Sequence, residues 1–421
     1  MKRRSRSPKA STEQVLVAQN LGARGDALFD GPVYASGVLP GERARLSVSG
    51  QRGQLLEIIE PATDRVPAFC PIADRCGGCS LQHFSEPAYR DWKRGLVQTA
   101  MDRAGITYEL PELVDAHGDG RRRLVFHARR FGRKLVFGFN ERAGNRIADL
   151  THCPVGVPEI DQSIGDLRDI ADLVTDGKGQ TDFAVTASET GLDIHISGVK
   201  SIGLELRELL AERAHARKWS RVSVNQEPVI LLNDPYIRFG DAKVVPPPGS
   251  FLQATTLGEA ALSEMVMRAF HYPDRAPVKA VDLYAGSGAF ALRLARYIPV
   301  LAIEGEAGPL NALNAAASRT AGLKPVDARV RDLALEPLTV KELEPFDFAV
   351  IDPPRAGASA QMECLADSTI NLVCSISCNP ATFARDAAIL IEGGFTLKDM
   401  TLIDQFKWTA HVEIAAIFVR D

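Results

Sequence analysis

Beyond Pro246-Pro247-Pro248-Gly249 the chain alternates short apolar runs with helical stretches, and nothing else in it constrains the fold as much. Apolar runs at residues 280–283, 300–303, 346–351 and 372–376 have strand length, and helical spacing separates them. Strands that read as continuously apolar are buried on both faces, which requires helices above and below a parallel sheet. Residues 246–421 are thus expected to form a doubly wound α/β domain. In such sheets ligands collect outside the carboxyl ends of the strands, so the residues at those ends carry the chemistry.

The first strand runs into Tyr284-Ala285-Gly286-Ser287-Gly288, a glycine turn followed by a helical run over 290–297. The second ends in Glu304, an acid placed to take the hydroxyls of a nucleoside ribose. That geometry suits NAD as well as S-adenosylmethionine. The third glycine of a dinucleotide fingerprint is missing, since Ala289, Phe290 and Ala291 follow Gly288. Without a pyrophosphate to cradle, an adenosyl cofactor with a sulfonium tail is the better match. Asp332, after the third strand, is placed either to meet the adenine or to sit on a surface loop. The fourth strand ends in Asp352-Pro353-Pro354-Arg355, where two prolines stiffen the loop and Asp352 is expected to face cofactor or substrate.

Ser377-Cys378-Asn379-Pro380 puts a cysteine at the end of an apolar strand and at the mouth of a helix over 380–391, with Asn379 as N-cap and Gly393-Gly394 as terminator. A free thiol has a pKa near ~8.5, and a helix N-terminus lowers it. Cys378 is therefore a candidate nucleophile, with a buried structural thiol as the alternative.

Upstream, residues 13–59 alternate short apolar stretches with glycine turns, the pattern of a small β-barrel, and include Leu39-Pro40-Gly41-Glu42. Lys2, Arg3, Arg4 and Arg6 form a basic tail expected to be disordered over residues 1–12. We place the barrel at 13–68, an α+β middle domain at 69–245 and the α/β domain at 246–421. Cys70, Cys76 and Cys79 make a C-x5-C-x2-C run with Cys153 far downstream, a set that fits zinc or an iron-sulfur cluster. Gly77-Gly78 lets the backbone curl there, and the lone Cys153 leans toward a cluster. The net charge of −4 hides local bias. Between residues 118 and 150, Arg121, Arg122, Arg123, Arg129, Arg130, Arg133, Lys134, Arg142 and Arg146 outnumber Asp119, Glu141 and Asp149. Phe126, Phe131, Phe137 and Phe139 are interleaved, as on an RNA-binding face, or else they form the core side of a strand pair. No apolar run approaches a membrane span, and we expect a cytoplasmic protein.

Taken together, Gly286-x-Gly288, Asp352-Pro353-Pro354-Arg355-Ala356-Gly357, Ser377-Cys378-Asn379-Pro380-Ala381-Thr382 and His411-Val412-Glu413 resemble the RNA uracil-C5 methyltransferases. The cysteine run resembles the 4Fe-4S site of the family's ribosomal-RNA members, and Leu39-Pro40-Gly41-Glu42 is similar to their N-terminal TRAM barrel. The resemblance implies a class I methyltransferase acting on 23S rRNA, with S-adenosylmethionine as methyl donor and a 4Fe-4S cluster on Cys70, Cys76, Cys79 and Cys153, and we expect a monomer. It implies Cys378 as nucleophile, Glu413 as proton acceptor, and Gln253, Tyr284, Gly286, Glu304, Asp332 and Asp352 around the cofactor. A tRNA enzyme or a non-catalytic RNA-binding iron-sulfur protein are the alternatives. Two positions depart from the family: Thr255 and Ala289 stand where asparagine is usual.

Overall fold

The computed structural model describes residues 11–142, 144–177 and 179–420, so the basic tail at Lys2, Arg3, Arg4 and Arg6 lies outside the described residues. The chain gathers into two units. One comprises the residues through Lys93 together with Asn140–Ala148 and Lys407–Ala410, and the other comprises Arg94–Phe139, Asp149–Phe406 and His411 onward.

In the first unit, strands Thr12–Leu21, Ala27–Phe29, Tyr34–Ala35, Arg52–Glu60 and Arg43–Ser49 close in that order into a five-stranded barrel. The Arg43–Ser49 strand alternates strictly, sending Ala44, Leu46 and Val48 inward to meet Ala18, Phe29 and Ala35. Leu39-Pro40-Gly41-Glu42 is a turn with Gly41 at φ 82 that buries Glu42 completely. Burial alone would raise that carboxyl's pKa, but the Arg65 guanidinium and the Leu39 N–H at 2.8 Å outweigh it and hold the pKa below the usual range.

In the second unit, the large sheet has the strand order Val326–Val330, Val300–Glu304, Ala280–Leu283, Phe348–Ile351, Leu372–Ser377, Glu413–Val419, Thr396–Asp404, Leu113–Asp115. The first five strands are parallel, as the apolar runs require, and Glu413–Val419 is antiparallel to both neighbours. Its first residue therefore lies at the edge where the parallel strands end. Alternate residues feed two cores: Ala280, Val350, Cys374 and Ile376 pack with Leu262 and Met265, while Val281, Leu283, Ile351 and Val373 pack with Met362, Phe383 and Leu390. Leu113–Asp115, expected in the middle domain, instead pairs in parallel with Thr396–Asp404. A three-residue edge strand joined across so much sequence leaves no periodic signal. The helix expected over 290–297 is one turn, Ala291–Leu294, because the Val300–Glu304 strand follows almost at once.

A second sheet, ordered Glu227–Leu231, Arg221–Val224, Gly191–Ser197, Thr181–Ser188, Arg123–Phe131, Lys134–Asn140, Ile147–Asp149, carries the arginine-rich segment. Here the aromatic expectation is corrected. Phe126 and Phe137 are fully buried and stacked with ring centroids 5.3 Å apart, and Phe137 meets Phe183 edge-on. Only Phe131, at the hairpin tip with Arg133 and Lys134, is exposed. Period-2 alternation sends these phenylalanines to the core face. No helix among the described residues is long and apolar enough to cross a membrane.

Asp282 is the exception to the apolar strands. It is fully buried, its Oδ2 accepts from the Ala291 N–H at 2.8 Å, and burial pushes its pKa up to about 8. The stabilising neutral form is complete below the ordinary carboxylate value near ~3.9 and is lost as pH rises through about 8. Asp282→Asn keeps the acceptor and removes the charge. We expect it to melt several degrees above the wild type near pH 8, with the gap narrowing toward pH 5; a gap independent of pH in thermal denaturation would contradict this.

Candidate active site

The Leu372–Ser377 strand is buried throughout, and Cys378 is the first half-exposed residue past its end. Asn379 caps the Pro380–Glu392 helix, its Oδ1 accepting from the Ala381 N–H at 3.2 Å, and Gly393 ends that helix. The same asparagine's Nδ2 donates to the Arg355 carbonyl at 3.2 Å, as does the Thr382 hydroxyl at 3.4 Å. Arg385 donates to the Ala356 carbonyl, and the Ala358 N–H donates to Asp386 Oδ2. The loop after Asp352 is thus laced to the helix after Cys378. Gly357 sits at φ 75 where an added Cβ would approach Asp386 Oδ2 to 2.6 Å, so this junction admits only glycine.

Glu413 opens its strand opposite Ile403, with Ile414 opposite Ser377, and only 4% of its surface is exposed. Cys378 feels the charge of both Glu413 and Asp352. This corrects the expectation for the thiol: burial first, then Glu413 and Asp352, push its pKa up to about 11, against a weaker pull from Arg355. The helix start does not overcome them. Pro380 has no N–H to offer, and the Asn379 side chain already takes that of Ala381. In the free protein Cys378 is a thiol.

Asp352 follows the Phe348–Ile351 strand. Its Oδ2 accepts from Gln253 Nε2 at 3.2 Å, and burial pushes its pKa up to about 7. Gln253 is itself buried, and its Oε1 accepts from Gln405 Nε2 at 2.7 Å. Its carbonyl takes Arg122 Nε at 3.1 Å, and Arg122 and Arg293 both grip the buried Glu259. Arg293 also donates to the Ala289 carbonyl at 2.6 Å. The sequence reading missed Gln405, Glu259 and Arg293 and placed Arg122 only in the basic run facing RNA, whereas it is buried; for Glu259 and Arg293 the available signal was a charge among apolar helix residues.

Glu304 ends its strand with Oε2 accepting from the Gly286 N–H at 3.0 Å and Oε1 from the Glu306 N–H at 3.1 Å. Each oxygen keeps a lone pair for a hydroxyl donor. Gly286, at φ 55, has open space where a side chain would stand. Tyr284 adopts φ 62, a conformation unusual for a residue with a side chain, and burial then nearby acids push its pKa up to about 12. Asp332 is exposed and caps the Ala334 N–H at 3.0 Å. This edge, rich in carboxylates and with an open glycine turn, fits a ribose and a cationic sulfonium. Thr255 accounts for its own departure from the family: its hydroxyl accepts from the Gly258 N–H at the start of the Thr256–Phe270 helix and donates to the Ala116 carbonyl at 2.6 Å.

In the first unit, Cys76 and Cys79 are buried and Cys70 is partly so. Gly77 passes so close to the Asn140 carbonyl that a Cβ would lie 2.6 Å from it. Arg142 donates to the carbonyls of Ala73, Cys76 and Cys79. Burial first, then Cys79 and Cys70, raise the Cys76 pKa. Cys153, in the second unit, is buried, with its N–H on Asp161 Oδ1. Among the described residues, however, no three His, Cys, Asp or Glu side chains gather as the ligands of a metal ion would. The structure thus provides the loop but not an assembled metal site.

Residues 247–421 match the tRNA (Uracil-5-)-methyltransferase family. An uncharacterized RNA methyltransferase of Brucella suis is 39% identical, spanning 98% of this chain and 99% of its own. The 23S rRNA (uracil(1939)-C(5))-methyltransferase RlmD of Chromohalobacter salexigens is 32% identical over 92% of this chain and 85% of its own. Among solved structures, the Pyrococcus abyssi tRNA (uracil-54, C5)-methyltransferase in complex with S-adenosyl-L-homocysteine matches with a TM-score of 0.75 at 19% identity, covering 96% of this chain and 100% of that one. At that identity the likeness speaks for the fold, a class I methyltransferase sheet with a closed N-terminal barrel. Aligned nearly end to end with such relatives, the chain belongs to the RNA uracil-C5 methyltransferase family.

Proposed function

We propose that the protein methylates C5 of a specific uridine in 23S rRNA, with Cys378 as nucleophile and Glu413 as proton acceptor. The observation that carries this reading is the meeting of Cys378, Glu413 and Asp352 at one edge of the sheet, where Cys378 feels the charge of both acids. S-adenosylmethionine, when bound, supplies an electrophilic methyl group. Tyr284, Gly286, Glu304 and Asp332 are the residues to hold its adenosine, with Gln253 and Asp352 toward the reacting end. C5 of uracil is a weak nucleophile. Cys378, its thiol proton lost to solvent, adds through sulfur to C6, and the C5=C6 electrons move onto the ring as an enolate, so that C5 becomes nucleophilic. After C5 has gained its methyl group, Glu413 removes the C5 proton, and the electrons of that C–H bond restore C5=C6 and release Cys378. A 4%-exposed carboxylate on a buried strand keeps water from competing for that proton.

Ribosomal RNA is favoured over tRNA by the 32% identity to an enzyme named for 23S rRNA. Of the two asparagine departures behind the non-catalytic alternative, Thr255 fills a capping role of its own, and nothing in the structure explains Ala289. The 4Fe-4S assignment to Cys70, Cys76, Cys79 and Cys153 rests on their spacing and on the mutual repulsion of the loop thiols, which a cationic metal centre relieves. We assign the cluster no step in methyl transfer.

On this reading, undermodified rRNA labelled with 5-tritiated uracil releases tritium with the wild type and not with Cys378→Ala. Glu413→Gln forms the C6 adduct but does not resolve it, so a covalent protein-RNA band accumulates in denaturing gels; equal bands from both variants would exclude Cys378 as nucleophile. Because the Cys378 thiol must lose its proton and Asp352 must be ionised, kcat/KM is expected to climb from about pH 6 toward pH 9. Protein purified without oxygen is expected to be brown, with a broad band near ~400 nm and about four irons per chain. Colourless, zinc-rich protein would replace the cluster with a zinc site.

A further inference from the structure

Gln405 stands just beyond the Thr396–Asp404 strand and is fully buried. Its Nε2 occupies the oxygen of the Gln253 amide, whose nitrogen faces Asp352 Oδ2. An amide side chain has one donor end and one acceptor end, so a donor fixed on the oxygen leaves only the NH2 group for Asp352. The Gln253 backbone is already held by Arg122, and the orientation of its amide is what remains to be set. We infer that Gln405 is a positioning residue that keeps the donor end of Gln253 turned to the Asp352 carboxylate and so keeps that carboxylate ionised at the reacting edge. Its catalytic consequence rests on the methyltransferase reading.

A second observation separates this role from packing. Gln405 Oε1 is buried without a hydrogen-bond partner among the described residues, a desolvation cost that an apolar residue of the same shape would avoid. The side chain tolerates that cost while its other end serves Gln253. A half-turn of the Gln253 amide would present oxygen to Asp352, an arrangement only the protonated acid can meet. The groups that share Asp352's field come from each neighbouring strand: Asp282 from Ala280–Leu283, and Cys374 and Cys378 from Leu372–Ser377 and its end. Glu413 and Arg355 act on the same thiol.

The test compares full-length wild type with Gln405→Met, which keeps the length and removes the donor, and Gln405→Glu, which offers Gln253 only acceptors. With undermodified rRNA and S-adenosylmethionine, Gln405→Glu should move the acid limb of kcat/KM upward by about one pH unit, roughly tenfold less activity near pH 6, with recovery by about pH 9. Gln405→Met should shift it in the same direction by less. Independently of methyl transfer, iodoacetamide should alkylate Cys378 severalfold faster in Gln405→Met than in wild type near pH 7, because Asp352 is then more often neutral, and at equal rates by about pH 9. Peptide mass spectrometry reads that site alone. Profiles that superimpose on the wild type, or a loss equal at every pH, would overturn the positioning role. A wild type that methylates no RNA would sink the function instead, and the alkylation ratio would still decide Gln405.

Discussion

Burial of the parallel strands on both faces is the constraint on which the rest of the second unit depends. Ala280–Leu283, Phe348–Ile351 and Leu372–Ser377 are buried at every position, so their polar neighbours collect where the backbone leaves the sheet. Tyr284, Asp352 and Cys378 all follow from that rule. Glu413 reaches the same edge by a different route, because its strand runs antiparallel and begins where the others end. Asp282 shows the cost of breaking the rule, a carboxyl neutral up to about pH 8 and tied to the turn that follows it.

The crowding of acids at that edge decides how the site behaves. Burial first, and then the carboxylates of Glu413 and Asp352, hold the proton on Cys378. A thiol poised this way is quiet toward solvent oxidants, because the thiolate is the reactive form. Asp352, with a pKa pushed up to about 7, is the group whose charge is most easily tilted, and the chain from Gln405 through Gln253 to its oxygen is built to tilt it.

Much of this was legible in the chain. Apolar run lengths gave the doubly wound sheet, the N-cap and terminators of the Pro380–Glu392 helix appeared where asparagine, proline and glycine stood, and short apolar stretches between glycine turns over 13–59 marked the barrel. The RNA-facing aromatics were misread, because alternation along a strand says that two faces differ without saying which is wet. Phe126 and Phe137 took the dry one. The cysteine run marked a loop, yet spacing does not state how close its thiols come, and among the described residues they do not close on a metal.

By itself the sequence determined the class of the fold, the strand-end residues and the family to which the chain belongs, since these depend on local periodicity and short motifs. Only the tertiary structure decided the state of those residues. The pKa of Cys378 depends on Glu413 and Asp352, which approach it across strands from elsewhere in the chain. Likewise the donor sense of Gln253 depends on Gln405, 152 residues away. Electrostatic energy and hydrogen-bond direction are set by distance in space, and a linear pattern does not contain that distance.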